Sequence, residues 1–500
     1  MSNQIHIIQN AITTTISEIF RGDFRRICEV KKAVLHLEAI YFCHGTCYLL
    51  KRENMPIKDQ LALYQRIELI PQSTTEFFEN NRECIINNWP EESALAAKPE
   101  ILYDALLASE FCVQPERVGY KIDKVSRDIA GAYYTSSDFS AQITYRALES
   151  YMDRKRRRAI DSDSFACCNE YENITFLDYS CGCGEFLLAV IQYFDNHVLG
   201  YSRKKLATQL RGVDVNPIAL MITIARIVSA VEAEDDENLL REVAKNFIVG
   251  NPLLHSDKIA PLEVRFDNFA LNRLYAETEG INCLELEQQN LVVLGNPPWE
   301  KLRFEERAFF RPVCPAISAI SQKNKREKEI KKLAVNWLEL LEYYQLLQDD
   351  YASVKKEIPK HPLLKVSLVG ELNTYAMFAE LASRLTEKDG FAAIIVKSAL
   401  VTSTCYSSCF RHFVNQGSLS EVFLFDNREK LFQIDSREKF CVLFFGGEHA
   451  GGIKVHYGLT KQEQILSSVP INVTSEELEL INPETGLLPN VADSKEFSFL

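Results

Sequence analysis

The sequence predicts a doubly wound α/β sheet, preceded by a helical domain and interrupted by a helical insertion. Three observations carry that expectation. After residue 130, short β-branched runs alternate with helical stretches. Before it, Ile5, Ile8, Ile12, Ile16 and Ile19 recur at helical spacing. The residues with the richest chemistry then fall at carboxyl ends of the expected strands, where doubly wound sheets bind ligands.

Residues 1–130 read as a helical domain, with further apolar segments at Leu61–Ile70 and Leu102–Phe111 and no strand alternation. Asp23, Glu29 and Lys31 have the residue types of a metal-nuclease set. They lie in a helix-like stretch, GDFRRICEVKK, whereas such nucleases carry these groups on strands, so they read as surface charge. Residues 131–470 form the α/β domain. Its expected strands are Ile174–Asp178, Leu210–Asp214, Phe247–Gly250, Leu291–Leu294, Phe391–Val396, Glu421–Phe425 and Lys439–Phe445. A helix to about Phe194 follows the first strand, and Pro217 opens the helix after the second. The charged excursion over about 301–370 is too long for a simple connection and reads as a helical insertion. Residues 471–500 read as the start of a C-terminal or linker region.

Composition narrows the function. The formal net charge is −13, which argues against a protein that coats nucleic acid. Two local basic runs remain, Arg154–Arg158 and Lys323–Lys332, and both read as solvated helix faces. The 14 cysteines are scattered and form no paired CxxC knuckles, so reduced thiols are expected and no metal site. No run of apolar residues is long enough for a membrane span, and MSNQIHIIQN is not a secretory signal. A cytoplasmic protein is expected.

The first constellation is FLDYSCGCGEFLLAVI, residues 176–191, which reads as strand, tight turn and helix. Gly182 and Gly184 permit positive φ and close backbone approach. A dinucleotide fold would place a small residue where Leu187 stands, so a nicotinamide cofactor is disfavoured. Asp178 ends the first strand and suits a charged or hydroxylated part of a ligand. Asp214 ends the second, where a carboxylate can accept both hydroxyls of a ribose or cap the next helix. Asn251 is read as ending the third and could meet an adenine edge.

The second constellation is LVVLGNPPWE, residues 291–300. Pro297 and Pro298 donate no hydrogen bonds and keep the backbone extended. The Pro297 carbonyl and the Asn296 side chain then offer two acceptors, as a planar NH₂ group requires. Trp299 supplies a π-face for the ring that bears it.

A Gly turn, an acidic strand end and an Asn-Pro-Pro-aromatic corner, in that order, resemble the S-adenosylmethionine-dependent N6-adenine DNA methyltransferases. GAYYTSSDFSAQIT, residues 131–144, resembles the motif that precedes the Gly turn in the γ-type members, found in type I modification subunits and fused restriction-modification enzymes. ELNTYAMFAELASRLTEKDGFAAIIV and VFLFDNREKLFQIDSREKFCVLFF resemble the elements that follow the catalytic loop. Tyr179 and Ser136 stand where proline is common in the family; neither removes a required donor or acceptor. The resemblance covers about residues 131–490.

It implies a Rossmann-like methyltransferase sheet and S-adenosylmethionine as cofactor, held by Thr135, Asp178, Cys181, Gly182, Gly184, Asp214 and Asn251. It implies double-stranded DNA as substrate, with the adenine flipped out to reach Asn296, Pro297, Pro298 and Trp299. INPETGLLPNVADSKEF resembles a segment leading towards a target-recognition region, expected beyond this chain or on a specificity or restriction subunit. Two other readings stay open. One is a methyltransferase of an RNA adenine or a protein glutamine amide. The other is a non-catalytic DNA-binding subunit.

Overall fold

The computed structural model describes residues 2–96, 98–122, 135–161, 171, 173–257, 260–273, 280–282, 290–386, 389–446, 452–491 and 493–497. The described strands, in chain order, are β1 (Ser109–Gln114), β2 (Arg117–Ile122), β3 (Thr175–Asp178), β4 (Leu210–Asp214), β5 (Phe247–Val249), β6 (Asn251–His255) and β7 (Gly280–Ile281). They continue as β8 (Leu291–Gly295), β9 (Phe391–Lys397), β10 (Leu419–Asp426), β11 (Lys439–Phe445), β12 (Ile453–Leu459) and β13 (Ile471–Val473). The chain forms two compact units. The first joins Met1–Gly131, Asp214–Ile281 and Arg303–Ile358; the second joins Ala132–Val213, Asn282–Leu302 and Pro359–Leu500.

The first unit is built around the helix Ile27–Leu49, which is apolar on most sides and buried over most of its length. The equally apolar helix Pro217–Ala230 packs against it. Two polar groups on the central helix bear on its stability, buried His36 and half-buried Glu38. His36 lies between the rings of Phe77 and Phe266, with centroids at 5.0 and 5.1 Å, and its Nδ1 meets Thr74 Oγ1 at 3.0 Å. Burial lowers its pKa to about 4. Glu38 accepts a 2.9 Å hydrogen bond from the Tyr120 hydroxyl. Burial raises the Glu38 pKa to about 7, and the tyrosine bond only partly opposes it.

Tyr120 belongs to a feature that sequence periodicity missed. The expected helix through Phe111 stops at Leu107, and β1 and β2 form an antiparallel hairpin from Ser109↔Ile122 to Gln114↔Arg117. Helical and strand periods are hard to separate over so few residues, and cross-strand contact decides. Phe111 meets Tyr120 edge-on at 4.9 Å. The nuclease-like trio is dispersed among other contacts. Asp23 is exposed, Glu29 pairs with Arg26 at 2.9 Å, and half-buried Lys31 points its ammonium at the Tyr343 ring.

The second unit holds a mixed sheet in the order β13-β12-β10-β11-β9-β8-β3-β4. The stretch β4-β3-β8-β9 is parallel, and β11 runs antiparallel between β9 and β10. β8 and nearly all of β9 are buried, as a parallel sheet covered on both faces requires. Chain order leads from β3 to β4 on one side and places β8 on the other. The loops after β3 and β8 therefore flank the switch point of a doubly wound, Rossmann-like sheet. β12 and β13 were not anticipated. β12 pairs parallel with β10, and β13 closes that end through Ile453↔Val473.

Arg154 is not a solvated residue. It is 6% exposed and donates to the carbonyls of Asp389, Gly390 and Gly446, tying the helix Ser137–Asp161 to the sheet. Arg156 and Arg157 are exposed, and the side chain of Arg158 lies outside the described residues. Glu421, buried on β10, accepts from Arg146 at 2.7 Å and from His456 of β12 at 2.9 Å. Burial alone would raise its pKa; these two partners outweigh burial and lower it.

Glu38 gives the first unit a testable pH dependence. Its folded pKa of about 7 exceeds the ordinary 4.5, so folding favours the proton. The stability this contributes is complete below about pH 4.5 and is lost as pH rises through 7. The loss amounts to about 3 kcal/mol. His36 acts oppositely, losing stability as pH falls from 6.5 through about 4. Glu38→Gln should therefore raise the first urea-unfolding midpoint at pH 8 and change it little at pH 5. Equal shifts at both pH values would remove Glu38 as the cause.

Candidate active site

The turn after β3 is drawn tight by three hydrogen bonds from backbone amides. The Ser180 amide donates to Asp178 Oδ1 at 3.0 Å, the Cys181 amide to the Val213 carbonyl at 3.0 Å, and the Gly184 amide to the Cys181 carbonyl at 2.8 Å. Gly182 has φ +50° and Gly184 φ +85°, both in the left-handed region that glycine enters without strain. Gly184 opens the helix Glu185–His197, and amides at a helix start carry partial positive charge. Tyr179 is fully buried and donates its hydroxyl to the Phe378 carbonyl at 3.0 Å. It thereby anchors the turn to the helix Thr374–Leu385, which accounts for a tyrosine at this place.

Asp178 is 2% exposed at the end of β3. Its neighbour at the end of β8 is Gly295. A Cβ added there would lie 2.8 Å from Asp178 Oδ1 and 3.2 Å from its Cγ. The absence of a side chain lets the two strand ends approach. Sequence reasoning passed over Gly295; its signal was a glycine closing a buried apolar strand.

Past Gly295, Asn296 Nδ2 donates to Thr135 Oγ1 at 3.1 Å. With the nitrogen end held there, the amide turns its oxygen end away from Thr135. Thr135 itself is 5% exposed. Residues 131–134 of the preceding motif lie outside the described residues. Among the described residues, no hydrogen bond reaches the Pro297 carbonyl. The Pro298 carbonyl instead accepts from the Thr374 hydroxyl at 2.5 Å, and the same hydroxyl accepts from the Glu300 amide at 2.8 Å. Backbone bonds Thr374 N to Glu300 O and Leu302 N to Leu372 O, both 2.9 Å, complete the clamp. Thr374 was legible only as part of a family-like helix.

Trp299 is 5% exposed. Its Nε1 donates to the Ile395 carbonyl at 3.3 Å, and its ring packs edge-on against Phe432 at 5.4 Å and beside Phe440 at 6.1 Å. The expected open π-face is therefore largely enclosed by aromatics from the β10–β11 region.

Two expected site residues belong to the first unit. Half-buried Asp214 accepts from the Asn216 amide at 2.9 Å, and its carbonyl accepts from Gly250 N at 2.9 Å. The cap of the helix Pro217–Ala230 is Asn216, which accepts from the Ile218 amide, so Asp214 does not serve as the cap. Asn251 opens β6; the third strand ends earlier, at Val249. Its Oδ1 accepts from Leu253 N at 3.0 Å, and the residue is 5% exposed.

The turn after β3 suits a small polar ligand. Ser180 Oγ is buried with no hydrogen-bond partner among the described residues. A buried hydroxyl left so is destabilising until a ligand meets it. It sits between a strand-end carboxylate and a glycine turn. No cluster of metal ligands occurs among the described residues, and no described helix is long and apolar enough to cross a membrane.

No family model matches the chain, and no curated protein matches it. Solved structures do. A DrdV–DNA complex aligns at TM-score 0.49 and 11% identity, covering 95% of this chain and 44% of that one. The type IIL restriction-modification enzyme MmeI, in complex with DNA, aligns at 0.41 and 12% identity, covering 94% and 60%. A methyltransferase subunit of a type I restriction-modification system from Streptococcus thermophilus aligns at 0.34 and 12%, covering 96% and 92%. This chain thus spans less than half the length of DrdV. All three likenesses are loose, and the fold assignment rests on the strand order.

Gly295→Ala tests the approach of the strand ends. The new Cβ must displace the Asp178 carboxylate, and overpacking of this kind costs about 1–3 kcal/mol. A urea midpoint unchanged from the parent would show that Asp178 yields freely.

Proposed function

We propose that this chain transfers a methyl group from S-adenosylmethionine to the N6 amine of an adenine flipped out of duplex DNA, as a modification enzyme of the restriction-modification kind. The observation that carries the reading is the Asn296 amide, held by Thr135 at the switch point beside the Asp178 turn. Site-specific methylation, the γ-type assignment and cytoplasmic location belong to the same proposal.

S-adenosylmethionine, when bound, supplies an electrophilic methyl group on a sulfonium. Asp178, Ser180, Cys181, Gly182 and Gly184 would hold it in the second unit. The chain's own chemistry is positional. Asn296 Oδ1 and the Pro297 carbonyl accept the two amine hydrogens and draw the nitrogen lone pair out of conjugation with the ring. With the cofactor bound, the N–C bond would form as the S–C bond breaks, and the nitrogen's proton would pass to solvent. Much of the acceleration comes from alignment. Thr135 acts as a positioning residue, since it holds the nitrogen end of the Asn296 amide and leaves the oxygen end for the amine. Trp299 braces the corner, and a base gains its face only after the surrounding aromatics yield.

The test is tritiated-methyl transfer offered DNA, RNA and protein in parallel. Transfer to DNA adenine supports the reading, and label confined to RNA or to glutamine amide overturns it. Asn296→Ala should keep cofactor affinity within about threefold and lose most transfer; turnover within tenfold of the parent would exclude Asn296 from the chemistry. Thr135→Val should lower kcat with little change in cofactor Kd, and Thr135→Ser should restore it. A large rise in Kd with kcat preserved would return Thr135 to cofactor binding alone.

A further inference from the structure

Helix Lys323–Asn336, in the first unit, stands apart from the charge of the chain as a whole. It carries six basic residues and only two acids, Glu327 and Glu329, in a protein of net charge −13. Their arrangement is one-sided. Arg326, Ile330 and Leu333 are buried, and Arg326 bonds to Glu306 and to the Ile320 carbonyl. Lys325, Lys328, Lys331 and Lys332 recur at three- and four-residue spacing on the opposite face, and all four are exposed. The two acids flank this row. Lys332 meets Glu329 at 2.7 Å, while the Lys323–Glu327 pair at 3.9 Å lies outside the row. The row ends at Val335, which is 90% exposed.

We infer that this lysine face contacts the phosphate backbone of duplex DNA. The inference rests on the DNA reading above and adds a surface to it. From Lys325 to Lys332 the helix rises about 10 Å. The duplex rises about 3.4 Å per base pair, so the row spans about three base-pair steps, and its four lysines can reach about two to three phosphates. Four lysines aligned without a matching row of acids repel one another, and a row of phosphates relieves that repulsion. Nothing in the row reads bases, so the contact adds affinity and register but no sequence choice.

The experiment uses the full chain. Duplex DNA binding is measured from 50 to 300 mM salt for the parent and for Lys325→Gln/Lys328→Gln/Lys331→Gln/Lys332→Gln. A control replaces exposed Lys51, Lys58, Lys245 and Lys461 by Gln, which changes net charge equally. Each phosphate contact contributes about 0.9 to the slope of log K against log salt. The row variant should lose about 2–3 from that slope and raise KM for DNA. Its cofactor Kd, and its kcat at saturating DNA, should match the parent. The control should keep the parent's slope. An unchanged slope in the row variant, or an equal loss in the control, overturns the inference even where DNA methylation is intact. So does tighter binding to an RNA duplex or to anionic vesicles than to DNA. Absence of duplex binding at 50 mM salt overturns it as well.

Discussion

Everything at the switch point depends on how closely the ends of β3 and β8 approach each other. Parallel strands run about 4.8 Å apart, and side chains at their carboxyl ends compete for the same space. Gly295 removes that competition and lets the Asp178 carboxylate lie against bare backbone. Two turns of different character then leave adjacent strands. One is short, glycine-rich and lined with amides; the other is stiffened by two prolines and held by Thr374. Neither turn would keep its place without the other's strand.

The polar groups in this molecule divide by how they are satisfied. Glu421 is bonded to the Arg146 guanidinium and to the His456 ring. Arg154 is matched to three carbonyls, so a basic residue in the sequence becomes a structural tie. Glu38 has one neutral donor, and burial pushes it towards the protonated form. The lysines of Lys323–Asn336 remain in water, and there Lys323 and Lys332 pair with exposed or half-buried acids of the same helix. Charge in a sequence therefore says little until its partners are known.

Much of the sheet was legible in the sequence. β4 and β11 match the expected bounds, and β3, β8 and β9 differ by about a residue, since buried parallel strands are short apolar runs with turn residues at their ends. Positive φ at Gly182 and Gly184 followed from the turn. The hairpin β1–β2 was not legible, because its strands are short, β1 shows no alternation of apolar and polar residues, and the pairing is set by cross-strand contact. Nor were β12 and β13, whose place depends on pairing with β10 and on His456 meeting Glu421. At the ends of β3 and β8, the order of residues could be read from the sequence and the orientation of their side chains could not. The sequence offers Trp299 as a face for stacking; only packing reveals the Phe432 and Phe440 rings against it. Asn296 reads as an acceptor, but nothing in the sequence says that Thr135 would take its nitrogen.

The clamp between residues 300–302 and 372–374 has a consequence for how such a chain can diversify. It joins the two feet of the long excursion directly, by two backbone hydrogen bonds of 2.9 Å. The entropy of closing a loop grows only with the logarithm of its length, and doubling the excursion adds about 0.6 kcal/mol. Segments of different length and surface chemistry could therefore be exchanged between these feet over evolutionary time. The geometry at Asn296 would be inherited unchanged while the appended surface drifted.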